Sequence, residues 1–189
     1  MLYGVDTSGK IGEGNLYIAI VRHEETDIMN ILRDKVRRRH RGLSSRRRIK
    51  ASYLTRDELG WVVNNFKSRH DGVVLSIPDF SDIKKHVSHF KSWKIKVLAS
   101  AIYLGCRRIV KTGDIILVDR DYSENVMKNL FDYLGCLFKS DKKNVVIESG
   151  TSFNEVIAKA DLIAGCMRRN VIKPRKISIK EIIRLAKLM

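Results

Sequence analysis

Long apolar runs, metal-finger cysteines and nucleotide-binding glycine loops are all missing from this chain, and each absence closes off a class of function. No segment approaches a membrane span or a secretory signal, which points to a soluble, cytoplasmic protein with no membrane partner. Cys106, Cys136 and Cys166 are widely separated, with no CxxC pair and no histidine at zinc-like spacing. They read as buried thiols in a reducing compartment. His23, His40, His70, His86 and His89 form no HExxH or related pattern, and neither a P-loop nor a GxGxxG is present. Glutamine is absent while lysine, arginine and isoleucine are abundant, a balance compatible with a thermophilic source. There is no internal repeat and no linker long enough to separate domains. The 189 residues, 44% of them hydrophobic, are therefore expected to form a single domain, 1–189.

Acidic residues are scarce as well. Twenty-one Asp and Glu face 37 Lys and Arg, giving a formal charge of +16, which exceeds what solubility requires and calls for a polyanionic partner. Nucleic acid leads, RNA ahead of DNA, although charge alone does not separate it from an anionic membrane surface. The charge is densest at 33–50, where ten Lys or Arg accompany one Asp. Arg37, Arg38, Arg39 and Arg41 lie before Gly42-Leu43-Ser44-Ser45, and Arg46, Arg47, Arg48 and Lys50 after it. This is expected to be a flexible basic loop able to follow a phosphate backbone. A solvated loop or a disordered arm is the plainer alternative.

Leu2 to Asp6 and Asn15 to Val21, joined by a glycine-rich turn, predict a hairpin. Residues 23–34 fit either a strand or a short helix, and Ile49 to Leu54 a short strand. Thr55 and Glu58 form a capping box for a helix to about Lys67, which gives Glu58 a structural task. Val73 to Ile77 reads as a central strand stopped by Pro78, with Asp79 at its end. Ser81 or Asp82 then caps one helix through about Gly105. Ile115 to Val118 predicts a second buried strand, ending on Asp119-Arg120-Asp121. Ser123 caps the next helix, stopped by Gly135, with further strand candidates at Leu137-Phe138 and Asn144 to Ile147. Ser152 and Glu155 box a helix to about Arg169, and Ser178 and Glu181 box a C-terminal helix at about 178–188.

Three acids recur in comparable settings. Asp6 and Asp119 follow strands, and Asp161 sits at the edge of the apolar face of its helix, collared by Ala158, Ala164 and Gly165. Strand-terminal aspartates often only accept turn hydrogen bonds, and a rim aspartate often pairs with arginine. Carboxylates converging from separate elements are, however, what a two-metal phosphodiesterase needs, with ions roughly 4 Å apart serving the attacking and leaving oxygens. Mg²⁺ or Mn²⁺ would be the cofactor.

Asp6-Thr7-Ser8-Gly9, Ile115-Ile116-Leu117-Val118-Asp119-Arg120, and Ala160-Asp161-Leu162-Ile163-Ala164-Gly165 followed by Arg168-Arg169 resemble, in order and spacing, the DESG, Asp-Arg and ADLIAG motifs of a ribonuclease H-like family of uncharacterised domains. The resemblance implies an α/β fold, a ribonuclease H-like mixed five-stranded sheet with helices on both faces. It also implies a divalent-metal site to which Asp6, Asp119 and Asp161 map. Asp79 and Asp121 are secondary ligand candidates. Two positions depart from the family: Thr7 replaces Glu, removing a possible ligand, and Lys159 replaces Gln, placing a cation two positions from Asp161 that would contact phosphate or quench the site. The leading expectation is a metal-dependent nuclease acting on RNA or an RNA-containing duplex. The alternatives are a non-catalytic nucleic-acid-binding module and a scaffold protein in which the three aspartates are ordinary caps and pairs.

Overall fold

A computed structural model describes residues 1–9, 11–24, 28–39, 49–66, 70–151 and 154–189. The predicted hairpin is present as β1 (Leu2–Ser8) and β2 (Leu16–Arg22), paired antiparallel with Asp6 opposite Ala19. Gly9 makes the turn possible: its φ of 101° belongs to glycine, and a Cβ there would lie 2.2 Å from the Asn15 carbonyl oxygen. Next come α1 (Ile28–Arg39), a 3-10 turn (Ala51–Tyr53), α2 (Arg56–Asn65), β3 (His70–Leu75), α3 (Ile77–Val87) and α4 (Trp93–Cys106). β4 (Ile115–Asp119), α5 (Glu124–Ser140), β5 (Val146–Gly150), α6 (Glu155–Arg168), β6 (Arg175–Lys176) and α7 (Ile179–Leu188) complete the chain.

The strands form one mixed sheet in the order β5-β4-β1-β2-β3-β6, in which only β2 runs antiparallel to its neighbours. Alternation along the strands sends Val5, Ile18, Ile20, Ile116 and Val118 to one face, where α3, α4, α5 and α7 cover them. Ala19, Val21 and Leu117 go to the other, beneath α6, with α1, the 3-10 turn and α2 packed beside it. Helix α6 lies unusually close to the sheet because the strands offer glycine under it. A Cβ on Gly4 would stand 2.5 Å from the Val156 carbonyl oxygen, and one on Gly72 2.2 Å from Met167 Sδ. That close seat fixes the height of every α6 side chain above β1.

Several expectations need correction. The sheet has six strands, not five, because the two-residue β6 pairs with β3; too short to show a period, it is held by Arg175, whose guanidinium meets Asp71 Oδ2 at 3.3 Å and the Leu104 carbonyl at 3.4 Å. Ile49 to Leu54 holds a 3-10 turn instead of a strand. The single helix expected to Gly105 is two, broken where Ser92 takes a left-handed φ of 57°, and the first begins at Ile77 with Pro78 in its first turn. Gly135 does not stop α5, which continues to Ser140 and buries Leu137 and Phe138 on the same stripe as Leu130 and Leu134. An isolated glycine there costs only about 1 kcal/mol of helix propensity, which the buried stripe outweighs. The basic segment is not all loop: Arg37, Arg38 and Arg39 belong to the end of α1, and Lys50 is exposed just before the 3-10 turn. Arg41, Arg46, Arg47 and Arg48 lie outside the described residues, as does Ser152 of the expected α6 box, whose N-cap is Asn154. Cys106 and Cys166 are buried as expected, with burial pushing both thiols upward, Cys166 to about 12, whereas Cys136 is exposed. Among the described residues no helix is long and apolar enough to cross a membrane.

Candidate metal centre

Asp6 and Asp119 are brought together by sheet register. β1 and β4 run parallel with Val5 beside Val118, so the next residue of each strand is the neighbouring acid at the carboxyl ends of both. Asp6 shares a face with Gly4, two residues back, and that face is the one under α6. The chain then turns directly after β4: the Asp119 carboxylate accepts from the Arg120 N–H at 3.0 Å, and the Asp119 carbonyl from the Asp121 N–H at 3.0 Å. This tight turn returns Asp121 toward the strand ends. Oxygens of Asp6, Asp119 and Asp121 all lie within 4.8 Å of one another. Asp6 and Asp119 are buried, while Asp121 is exposed. Carboxyl ends of parallel strands are where open α/β sheets place ligands.

Asp161 approaches from above. Between Val156 and Met167 every residue of α6 is buried except Asp161, which is half-buried, so a helix otherwise enclosed all round has one opening, at a carboxylate. It stands outside the 4.8 Å group but close enough to act on Asp6. Burial pushes the Asp6 carboxyl up to about 9; the Asp161 charge adds to this, followed by a hydrogen bond with Asp119 and the charges of Asp119 and Asp121. The charges that act most strongly on Asp6 are thus all carboxylates. In the absence of a cation Asp6 keeps a proton at neutral pH.

The donor set suits a particular kind of ion. Three carboxylates at this spacing can meet around one hard cation, and among the described residues no thiol or imidazole joins them to favour a softer metal. A Mg²⁺ or Mn²⁺ ion would replace the proton on Asp6 and relieve the repulsion.

The other sequence candidates fall elsewhere. Asp79 is the third residue of α3 and spends its Oδ2 on Ser76, accepting from the N–H at 3.2 Å and from the hydroxyl. It is a helix cap at the end of β3, not a partner of Asp6. Lys159 is fully buried and so out of reach of a phosphate, with Nζ 2.6 Å from the Glu24 carbonyl and 2.5 Å from Glu155 Oε1. Glu58 caps α2 as expected, accepting from the Thr55 N–H at 2.7 Å. Tyr122 was not foreseen. Its hydroxyl bonds to Thr7, and burial together with the charges of Asp121 and Asp6 raises its pKa. It follows Asp121 directly, and only the turn after β4 reveals that it reaches back to β1. A comparison with models of known protein families gives no match, and a comparison with curated proteins gives none either.

Proposed function

We propose that this chain is a divalent-metal-dependent nuclease that hydrolyses phosphodiester bonds in RNA or an RNA-containing duplex. The observation that carries the reading is the juxtaposition of Asp6, Asp119 and Asp121 at the carboxyl ends of β1 and β4, with Asp161 above them on α6. Four carboxylates in one partly buried site oppose folding unless something else needs their charge. Asp6, Asp119 and Asp121 would hold Mg²⁺ or Mn²⁺, with Asp161 placed to complete the site. Such ions supply Lewis acidity for activating water and stabilising a leaving oxygen in an in-line displacement.

The protein's own contribution is placement. Adjacent parallel strands fix Asp6 and Asp119, so neither carboxylate shifts without the sheet, and the close seat of α6 on Gly4 fixes Asp161. The net charge of +16 supports a polyanionic substrate, and the basic segment 33–50 is the first candidate for backbone contact. Ribonuclease H-like architecture fits this reading: β1 to β5 form a mixed sheet with helices on both faces, to which β6 adds an edge. Thr7, a neutral hydroxyl bonded to Tyr122 where the resembled family has Glu, is the feature that favours a non-catalytic nucleic-acid-binding module instead.

Cleavage assays decide between them. Single-stranded RNA, RNA–DNA hybrid and branched DNA are incubated with Mg²⁺, Mn²⁺ or Ca²⁺, using wild type and Asp161→Asn. Hydrolysis of an RNA-containing strand with Mg²⁺ or Mn²⁺, loss with Ca²⁺, and loss in Asp161→Asn with nucleic-acid affinity retained are the expected results. Tight binding without metal-stimulated cleavage of any substrate would replace the nuclease with the binding module.

A further inference from the structure

A cavity of about 550 Å³ opens between α2 and the turn that ends α6, away from the carboxylates. Trp61, Arg56, Asp57, Asn64 and Asn170 line it. The chain has two tryptophans, both half-buried against a hydrophobic cluster. Trp93 packs on Phe80, ring centroids 5.5 Å apart, beside the α3–α4 side of the core. Trp61 is half-buried in the wall of an open cavity. Gly60, just before it, leaves the entrance clear: a Cβ there would meet nothing within 4 Å. Asn170 is presented by the turn itself, with a left-handed φ of 57° and its N–H donating to the Met167 carbonyl at 3.0 Å.

These side chains match one kind of ligand. An indole offers a flat stacking surface, two carboxamides and a carboxylate offer donors and acceptors for a base edge, and a guanidinium suits a phosphate. A paired base has its faces and edge already occupied, so the fitting occupant is an unpaired base. Position supports the same ligand. α1, the 3-10 turn, α2 and α6 share one hydrophobic cluster, so the cavity lies on the same side of the sheet as Asp161 and both described ends of the basic segment.

We propose that this cavity binds one unpaired nucleobase of a single-stranded nucleic acid, stacked on Trp61, its edge read by Asn64 and Asn170 and its phosphate met by Arg56. The site goes beyond the nuclease reading and requires no metal.

The test is made in EDTA, so that its outcome is independent of cleavage. Full-length protein is titrated with end-labelled oligouridylate and with duplex RNA of equal length, following strand anisotropy and tryptophan emission together. Oligouridylate is expected to quench emission, and duplex to leave it nearly unchanged. Trp61→Ala should weaken oligouridylate binding by about 5- to 150-fold, the range for losing one stacked base, and abolish the quench, while Trp61→Phe retains most of the affinity. Should Trp61→Ala fold poorly, Asn64→Ala and Arg56→Ala are each expected to weaken single-strand binding more than duplex binding. Binding by anisotropy with unchanged emission, equal affinities for Trp61→Ala and wild type, or an unchanged single-strand to duplex ratio in the Asn64 and Arg56 variants would each overturn the site while leaving the nuclease reading standing.

Discussion

The ends of β4 and β3 look alike in sequence and do opposite things. Each is an apolar run followed at once by a polar turn with an aspartate, and each feeds a helix. Asp119 ends a strand whose parallel neighbour also ends on an acid, so register stacks two carboxylates side by side. Asp79 follows a strand whose inner neighbour, β2, runs the other way, so that the residue beside its last one, Leu75, is Leu16 and not an acid. It also lies three residues after Ser76, the spacing of a capping box, and is consumed there. An aspartate after a strand becomes a candidate ligand through its neighbours' direction and the absence of a helix N-terminus to cap.

The largest effect that can break this comparison is catalytic. Asp119→Asn is expected to lower metal-dependent cleavage by about 10³-fold or more, on the scale of losing a principal transition-state contact, whereas Asp79→Asn leaves the rate within a few-fold of wild type. Initial rates on labelled RNA check both, and equal losses would erase the distinction. Metal-linked stability comes next. Mg²⁺ at about 100 times its Kd should stabilise the wild type by about 2.7 kcal/mol, read as a rise in Tm. Asp79→Asn should keep that increment, and Asp119→Asn should lose most of it.

Much of this was legible in the sequence, though unevenly. The β1–β2 hairpin, β4, the α2 box and the start of α7 followed from apolar runs, turn residues and capping spacings, and the three principal acids stood out because each interrupts an apolar context. What escaped depended on tertiary partners. The direction of β2 decides which strand ends meet, and nothing local encodes it. Asp121 and Tyr122 reach the site only because the turn after Asp119 is tight. Lys159 is fully buried, which is rare for lysine and which no local pattern announces, and its partners, the Glu24 carbonyl and Glu155, include one 135 residues away in sequence. Gly135 as a helix stop follows from a local rule that a long buried stripe overrides.

A third effect separates the acidic cluster from Asp79 by the sign of a stability change. Asp6 has its carboxyl raised from 3.8 to about 9 by burial, then by Asp161 and its other acidic neighbours. The native metal-free state therefore holds a proton that the unfolded chain releases near pH 3.8. Between those values the unfolded state binds fewer protons, so stability falls as pH rises. The contribution of protonated Asp6 is fully present below 3.8 and is lost toward about 9. Asp6→Asn needs no proton to be neutral, so it should flatten that slope and stabilise the metal-free protein at neutral pH by about 1–3 kcal/mol. Urea titrations at several pH values measure both. A wild-type slope of the opposite sign would mean that a cation already neutralises the cluster.

The smallest effect is the counterpart at β3. Asp79→Ala removes the acceptor for the Ser76 N–H and hydroxyl at the start of α3, leaving one early donor of that helix without its side-chain partner. Loss of such a cap costs about 1 kcal/mol, and because the group gained is apolar and the site lies at the surface of a helix end, there is no cavity cost to add. The change should be destabilising and insensitive to Mg²⁺, since the Asp79 carboxylate serves the start of α3 and not the Asp6 cluster. Asp79→Asn, which keeps an acceptor oxygen, should recover part of the loss. Amide exchange offers a local reading: faster exchange confined to the first turn of α3 is the expected pattern, and protection lost instead at β1 and β4 would place Asp79 energetically with the acidic cluster and undo the contrast between the two strand ends.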